Sequence, residues 1–186
     1  LAQARKNVAI LKKLFFLIPR DALITIYRSF IRPHLDYCDF IYDKPNNKLF
    51  TENIESIQYN AALAITGAIK GSSKEKLYQE IDLERLSDRR WISRLKVFYK
   101  ILKDKSPTYL FELIPSSLNI RATRSVNLIT SIYSRTEAFQ NSFFPYTIKE
   151  WNKLDITIRN LSNVNLFKNI LLKFVRPKDN PIYNIF

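Results

Sequence analysis

The sequence predicts a mainly α protein: a helical bundle followed by a less regular C-terminal part with room for a short strand pair. Three observations lead there. Hydrophobic residues make up 46% of the chain, with ten tyrosines and thirteen phenylalanines, which is ample material for a core. Only two glycines, Gly67 and Gly71, occur in 186 residues, whereas sandwiches and barrels need many tight turns. Apolar residues also recur three and four apart in one segment after another, which is the helical period.

The elements follow in order. Residues 4 to 17 read as a helix, with Val8, Leu11, Leu14 and Phe15 on one face and Pro19 beyond the end. Asp21 stands where an N-cap would, and Leu23, Tyr27, Phe30, His34, Cys38 and Ile41 describe the next apolar face. Pro33 interrupts it and predicts a kink or break after Ile31. "DKPNNK" at 43–48 has turn chemistry. From Phe50 the period resumes through Ile54, Ile57, Ala61, Ala64, Ile65 and Ala68. Its alanines suit close helix approach, and Gly67 ends it. Ser72 or Ser73 caps a short helix, and Asp82 or Ser87 caps a long basic one.

Pro107 and Pro115 bracket the short helix "TYLFELI". Residues 116–136 carry little period and read as a linker or a short strand around Val126 to Ile132. Pro145 opens a helix with Ile148 and Trp151 on one face, and a last helix runs from Val164 to Phe174. These elements group as a helical region over 1–106, an irregular segment over 107–136 and a helical segment over 137–186.

Thirty Lys plus Arg face seventeen Asp plus Glu, a net charge of +13. The excess is uneven. Residues 43–83 are near neutral, while the stretches on either side are basic. That pattern suggests a scaffolding element flanked by polyanion-facing ones. The lone cysteine, Cys38, excludes an internal disulfide and fits a reducing compartment. No methionine occurs, so the chain reads as a piece of a longer open reading frame or a processed product. Its apolar runs are too short and too broken by charge for a membrane span.

The stretch "RRWISRLKVFYKILKDK", residues 89–105, is the most informative. On a wheel of 100° per residue, Trp91, Ile92, Leu95, Phe98, Tyr99 and Leu102 fall between about −20° and +100°. Arg89, Lys96, Lys100 and Lys103 fall between about 120° and 180°, and Arg90 and Arg94 flank the other edge. One flank must be buried, with its rings as core rather than base-stacking platforms. The adjoining cationic stripe is roughly 21 Å long. Three or four phosphates neutralised along it would give a steep salt dependence of binding. The plainer reading is a solvated face with Lys and Arg reaching over the core edge.

Catalytic constellations are missing. His34, the single histidine, sits on an apolar face and reads as a partly buried, hydrogen-bonded residue. With Cys38 it supplies two metal ligands at most, and no further Cys or His completes a site. Asp36 and Asp39 have no third acid nearby and read as solvated or capping. Two glycines cannot build a phosphate-cradling loop. By itself the chain is not expected to catalyse, and no metal or cofactor is expected in it.

"ILKKLFFLIPRDALITIYRSFIRPHLDYCDFIYD" (10–43), "IESIQYNAALAITGAIKGSSKEKLYQEI", "LERLSDRRWISRLKVFYKIL", "SRTEAFQNSFFPYTIKEWNKLDITIRN" and "FKNILLKFVRP" cover nearly the whole chain. In this order they resemble the region after the catalytic core of non-LTR retrotransposon (LINE, jockey-like) reverse transcriptases. The resemblance implies a thumb-like helical region over 1–106 and the start of the C-terminal region beyond it. It implies RNA or DNA template–primer as partner, together with upstream palm, fingers and endonuclease domains. The paired aspartates and Mg2+ of the polymerase would lie in that palm, outside this chain. It further implies an intracellular location, in nucleus and cytoplasm. Members of that family often carry glycine where Cys38 stands. A thumb holds a duplex by its backbone, through contacts that position without reading sequence. The expected contacts are Arg89, Arg90, Arg94, Lys96, Lys100 and Lys103, with Lys12 and Lys13 as secondary candidates. The alternative is a remnant or domesticated helical module that binds nucleic acid or protein without polymerase activity.

Overall fold

The computed structural model describes residues 1–115 and 128–175. They are mainly helical, with no β-strand among them. The chain divides into two compact units, Leu1–Arg90 and Trp91–Phe186.

In the first unit, α1 (Ala2–Leu14) packs along α5 (Lys48–Thr66). Ala4, Val8 and Leu11 of α1 and Ile54, Ile57, Ala61 and Ala62 of α5 are buried in one core. Asn47 caps α5, its side chain accepting from Phe50 N at 2.9 Å. Gly67 ends it at φ 72° in the left-handed region. A Cβ there would strike the Phe15 ring, so the position requires glycine for its dihedral and for its packing.

Between α1 and α5 the chain forms α2 (Arg20–Ile26), a π-helical turn (Tyr27–Ile31), α3 (Arg32–Asp36) and α4 (Asp39–Tyr42). Pro33 does not break this run. Pro33 lacks an N–H and its ring crowds the preceding turn, and the turn there is widened: Arg32 N bonds back to Tyr27 O, five residues earlier. The Asn7 amide of α1 donates to Phe30 O on that turn at 2.8 Å. One extra residue per turn advances the buried face by one position. Leu23, Tyr27, Ile31 and Leu35 are therefore buried, while Phe30, His34 and Ile41 are exposed. This corrects the expected face and the expected partly buried His34.

Cys38 adopts φ 49°, ψ 31°, the left-handed conformation that glycine takes without strain. Ser73 caps α6 (Lys74–Glu80). The long basic helix is α7 (Leu86–Asp104). Its first amide, Leu86 N, donates across the unit to Glu55 Oε2 at 3.1 Å, while Tyr78 donates to Glu55 Oε1 at 2.7 Å.

The second unit is organised by aromatic rings. Leu95, Phe98 and Tyr99 of α7 share a core with Ile148 and Trp151 of α10 and with Phe167 and Leu171 of α12. Between α7 and α10 lie α8 (Thr108–Glu112) and α9 (Glu137–Gln140), followed by α10 (Phe143–Lys153), α11 (Ile156–Arg159) and α12 (Val164–Val175). Tyr99 stacks on Phe167 with centroids 4.6 Å apart, and Trp151 meets Phe98 edge-on at 5.5 Å. The Tyr99 hydroxyl donates to Leu161 O at 2.7 Å. Trp91 is half-buried, its Nε1 donating to Glu150 Oε2 at 3.0 Å. The division falls at Arg90/Trp91, and the rings of α7 find their partners downstream of it.

The strand expected around Val126 to Ile132 lies partly outside the described residues. Within them, Ile129 is held like a strand residue by one side chain. Its N–H donates to Asn152 Oδ1 at 3.1 Å, and its carbonyl accepts from Asn152 Nδ2 at 2.8 Å.

Candidate nucleic-acid interface

The cations of α7 separate into two kinds. Arg89, Arg90 and Arg94 are buried, at 9%, 6% and 1% exposure. Arg89 donates to Asp36 Oδ1 through Nε at 3.1 Å and also through Nη2. Its Nη1 donates to Gln58 Oε1 at 3.2 Å. Asp36 in turn accepts from Arg32 Nε at 2.9 Å. The same Gln58 oxygen accepts from the Tyr27 hydroxyl at 2.7 Å, and Gln58 Nε2 donates to Glu84 O at 2.8 Å. Burial works most strongly against the Arg89 charge, but Asp36 and Tyr27 together outweigh it and hold the guanidinium protonated beyond its ordinary range. Burial pushes the Tyr27 phenol up to about 12.

Arg90 lies 3.3 Å from Asp43, donates to Leu35 O at 3.0 Å and stands over the Phe50 ring. Arg94 lies over the Tyr146 ring, 5.0 Å from its centroid. The structure places all three inside the protein rather than on an exposed row, Arg89 and Arg90 among oxygen acceptors and Arg94 against a ring. A guanidinium can be buried when its fork is filled by carboxylate, amide and carbonyl oxygens.

The lysines behave otherwise. Lys100 and Lys103 are exposed and Lys96 is half-buried. None of the three forms an ion pair with a described residue. Lys103 Nζ lies 5.8 Å from the Tyr99 ring centroid. At spacings of four and three they occupy one side of a continuous helix. With Arg89 withdrawn, the stripe shortens from roughly 21 Å to about 10.5 Å.

Lys12 and Lys13 are exposed on α1, in the first unit. Sequence periodicity missed Asp36, Asp43 and Gln58 as the groups that claim the arginines. They lie 31 to 53 residues away along the chain, and no local pattern links them to α7. Among the described residues no group of three or more His, Cys, Asp or Glu could hold a metal ion. No described helix is long and apolar enough to cross a membrane. Compared with known protein families, curated proteins and solved structures, the chain matches none.

Proposed function

We propose that this chain is the non-catalytic, nucleic-acid-gripping C-terminal part of an RNA-directed DNA polymerase of the non-LTR retrotransposon kind. The carrying observation is the row Lys96, Lys100 and Lys103, unpaired with carboxylates among the described residues on a chain of net charge +13. The reverse-transcriptase-like sequence blocks and the helical fold support the reading. Ammonium groups on a rigid helix bind backbone phosphates as point charges and leave bases unread. A surface that must slide along a template–primer needs that property. Polymerisation, with its Mg2+, belongs to the palm domain of the parent protein.

The test is electrophoretic mobility of the chain with a template–primer duplex across a salt series. The variant Lys96→Glu/Lys100→Glu/Lys103→Glu is expected to lose about tenfold or more in affinity, with the salt slope shallower by about 2–3. Helicity should be unchanged. Equal affinity and slope in wild type and variant would remove the proposal. A module without polymerase shares this contact, and the coding sequence upstream separates the two: a paired-aspartate block marks the polymerase.

A further inference from the structure

We infer that the groove between α1 and α5 is a docking site for an acidic amphipathic helix of a partner protein. This inference goes beyond the nucleic-acid reading and uses residues other than Lys96, Lys100 and Lys103. The groove runs along both helices in the same direction, from Arg5 beside Ser56 to Phe16 beside Gly67. It opens into two adjoining hollows of about 350 Å3 and 210 Å3 that share Lys12 and Asn60. From Arg5 to Phe16 the length is about 16 Å, three turns of helix.

The floor is apolar, formed by Phe15, Leu63 and Ala64 among others. Phe16 stands at the edge, 89% exposed, with its ring packed edge-on to Phe15. The rim carries Arg5, Lys12 and Lys70, no carboxylate lines either hollow, and none of the three pairs with an acid among the described residues. An apolar trough between two parallel helices is the shape into which a third helix packs its ridge of side chains. Charge chooses the partner. Arg5 and Lys12 are seven residues, about 10.5 Å, apart, which is the two-turn repeat at which a helix presents flanking acids beside an apolar seam.

The test uses the full chain and a fluorescein-labelled helical peptide of about fifteen residues. The peptide carries leucines at i, i+3/i+4 and i+7 spacing and flanking glutamates seven apart, and binding is read by fluorescence anisotropy. Arg5→Glu/Lys12→Glu changes two exposed residues and is expected to weaken binding by about tenfold or more. Exchanging the peptide's glutamates for lysines should restore binding to that variant. Lys96→Glu/Lys100→Glu/Lys103→Glu should leave peptide binding intact, so failure here is distinguishable from failure of the phosphate row. Absent binding, or equal binding by the Arg5/Lys12 variant, overturns the inference. A single-stranded oligonucleotide that displaces the peptide overturns it in favour of nucleic acid.

Discussion

The two ends of α7 are held by opposite means. Its first turns are tied by a polar network, in which Arg89 joins Asp36 and Gln58 while Glu55 takes the leading amide. Its later turns are held by rings, with Phe98 and Tyr99 set against Trp151 and Phe167. Cations therefore have different fates along one helix. Where the surroundings offer carboxylate and amide oxygens, guanidinium goes inside. Where they offer rings and aliphatics, lysine stays out. The lesson is that a basic stretch is two populations, and only the exposed one is available to a ligand.

The contrast can be broken at either end. Trp151→Ala removes the ring that meets Phe98, Tyr99 and Phe167. It should cost about 4 kcal/mol in urea denaturation followed by circular dichroism. Trp91→Ala, at a half-buried ring, should cost about half as much. Equal costs for the two would deny that Trp151 is the centre of the ring core.

Arg89→Ala should cost about 2 kcal/mol, because Asp36 and Gln58 lose the donor they share and keep only Arg32 and Tyr27. Lys100→Ala should stay within about 0.5 kcal/mol of wild type. A mild Arg89→Ala would mean that the network is ornamental and that the guanidinium is free for a ligand after all.

Alkaline pH probes the same network. Tyr27 titrates at about 12 in the folded state against 10.0 for an ordinary phenol. The raised value means that the folded state favours the neutral phenol. Its contribution is complete below pH 10 and disappears as pH rises from about 10 to about 12, roughly 3 kcal/mol in total. Tyr27→Phe should flatten the stability profile in that window, and an unchanged profile would contradict it. Opposite in sign, Cys38→Gly should stabilise by about 0.5–1 kcal/mol, since the left-handed φ of 49° costs cysteine more than glycine. A loss of melting temperature on that change would sink the strain argument.

The sequence alone determined the helical class, the run of α5 from its loop to Gly67, the ring face of α7 and the lysines beside it. Each of these is a local matter: 3.6-residue periodicity and capping chemistry act within a few turns, so they are visible in a window of that size. Tertiary structure decided the rest. A widened turn next to Pro33 rotated the face of the following helix by one residue, exposing His34 and burying Leu35. Acceptors far along the chain drew Arg89 and Arg90 inward. The amide of Asn152 took the place of a strand partner for Ile129. The physical reason is common to all three: a buried polar group or a displaced helical register is settled by partners that only folding brings within hydrogen-bond reach.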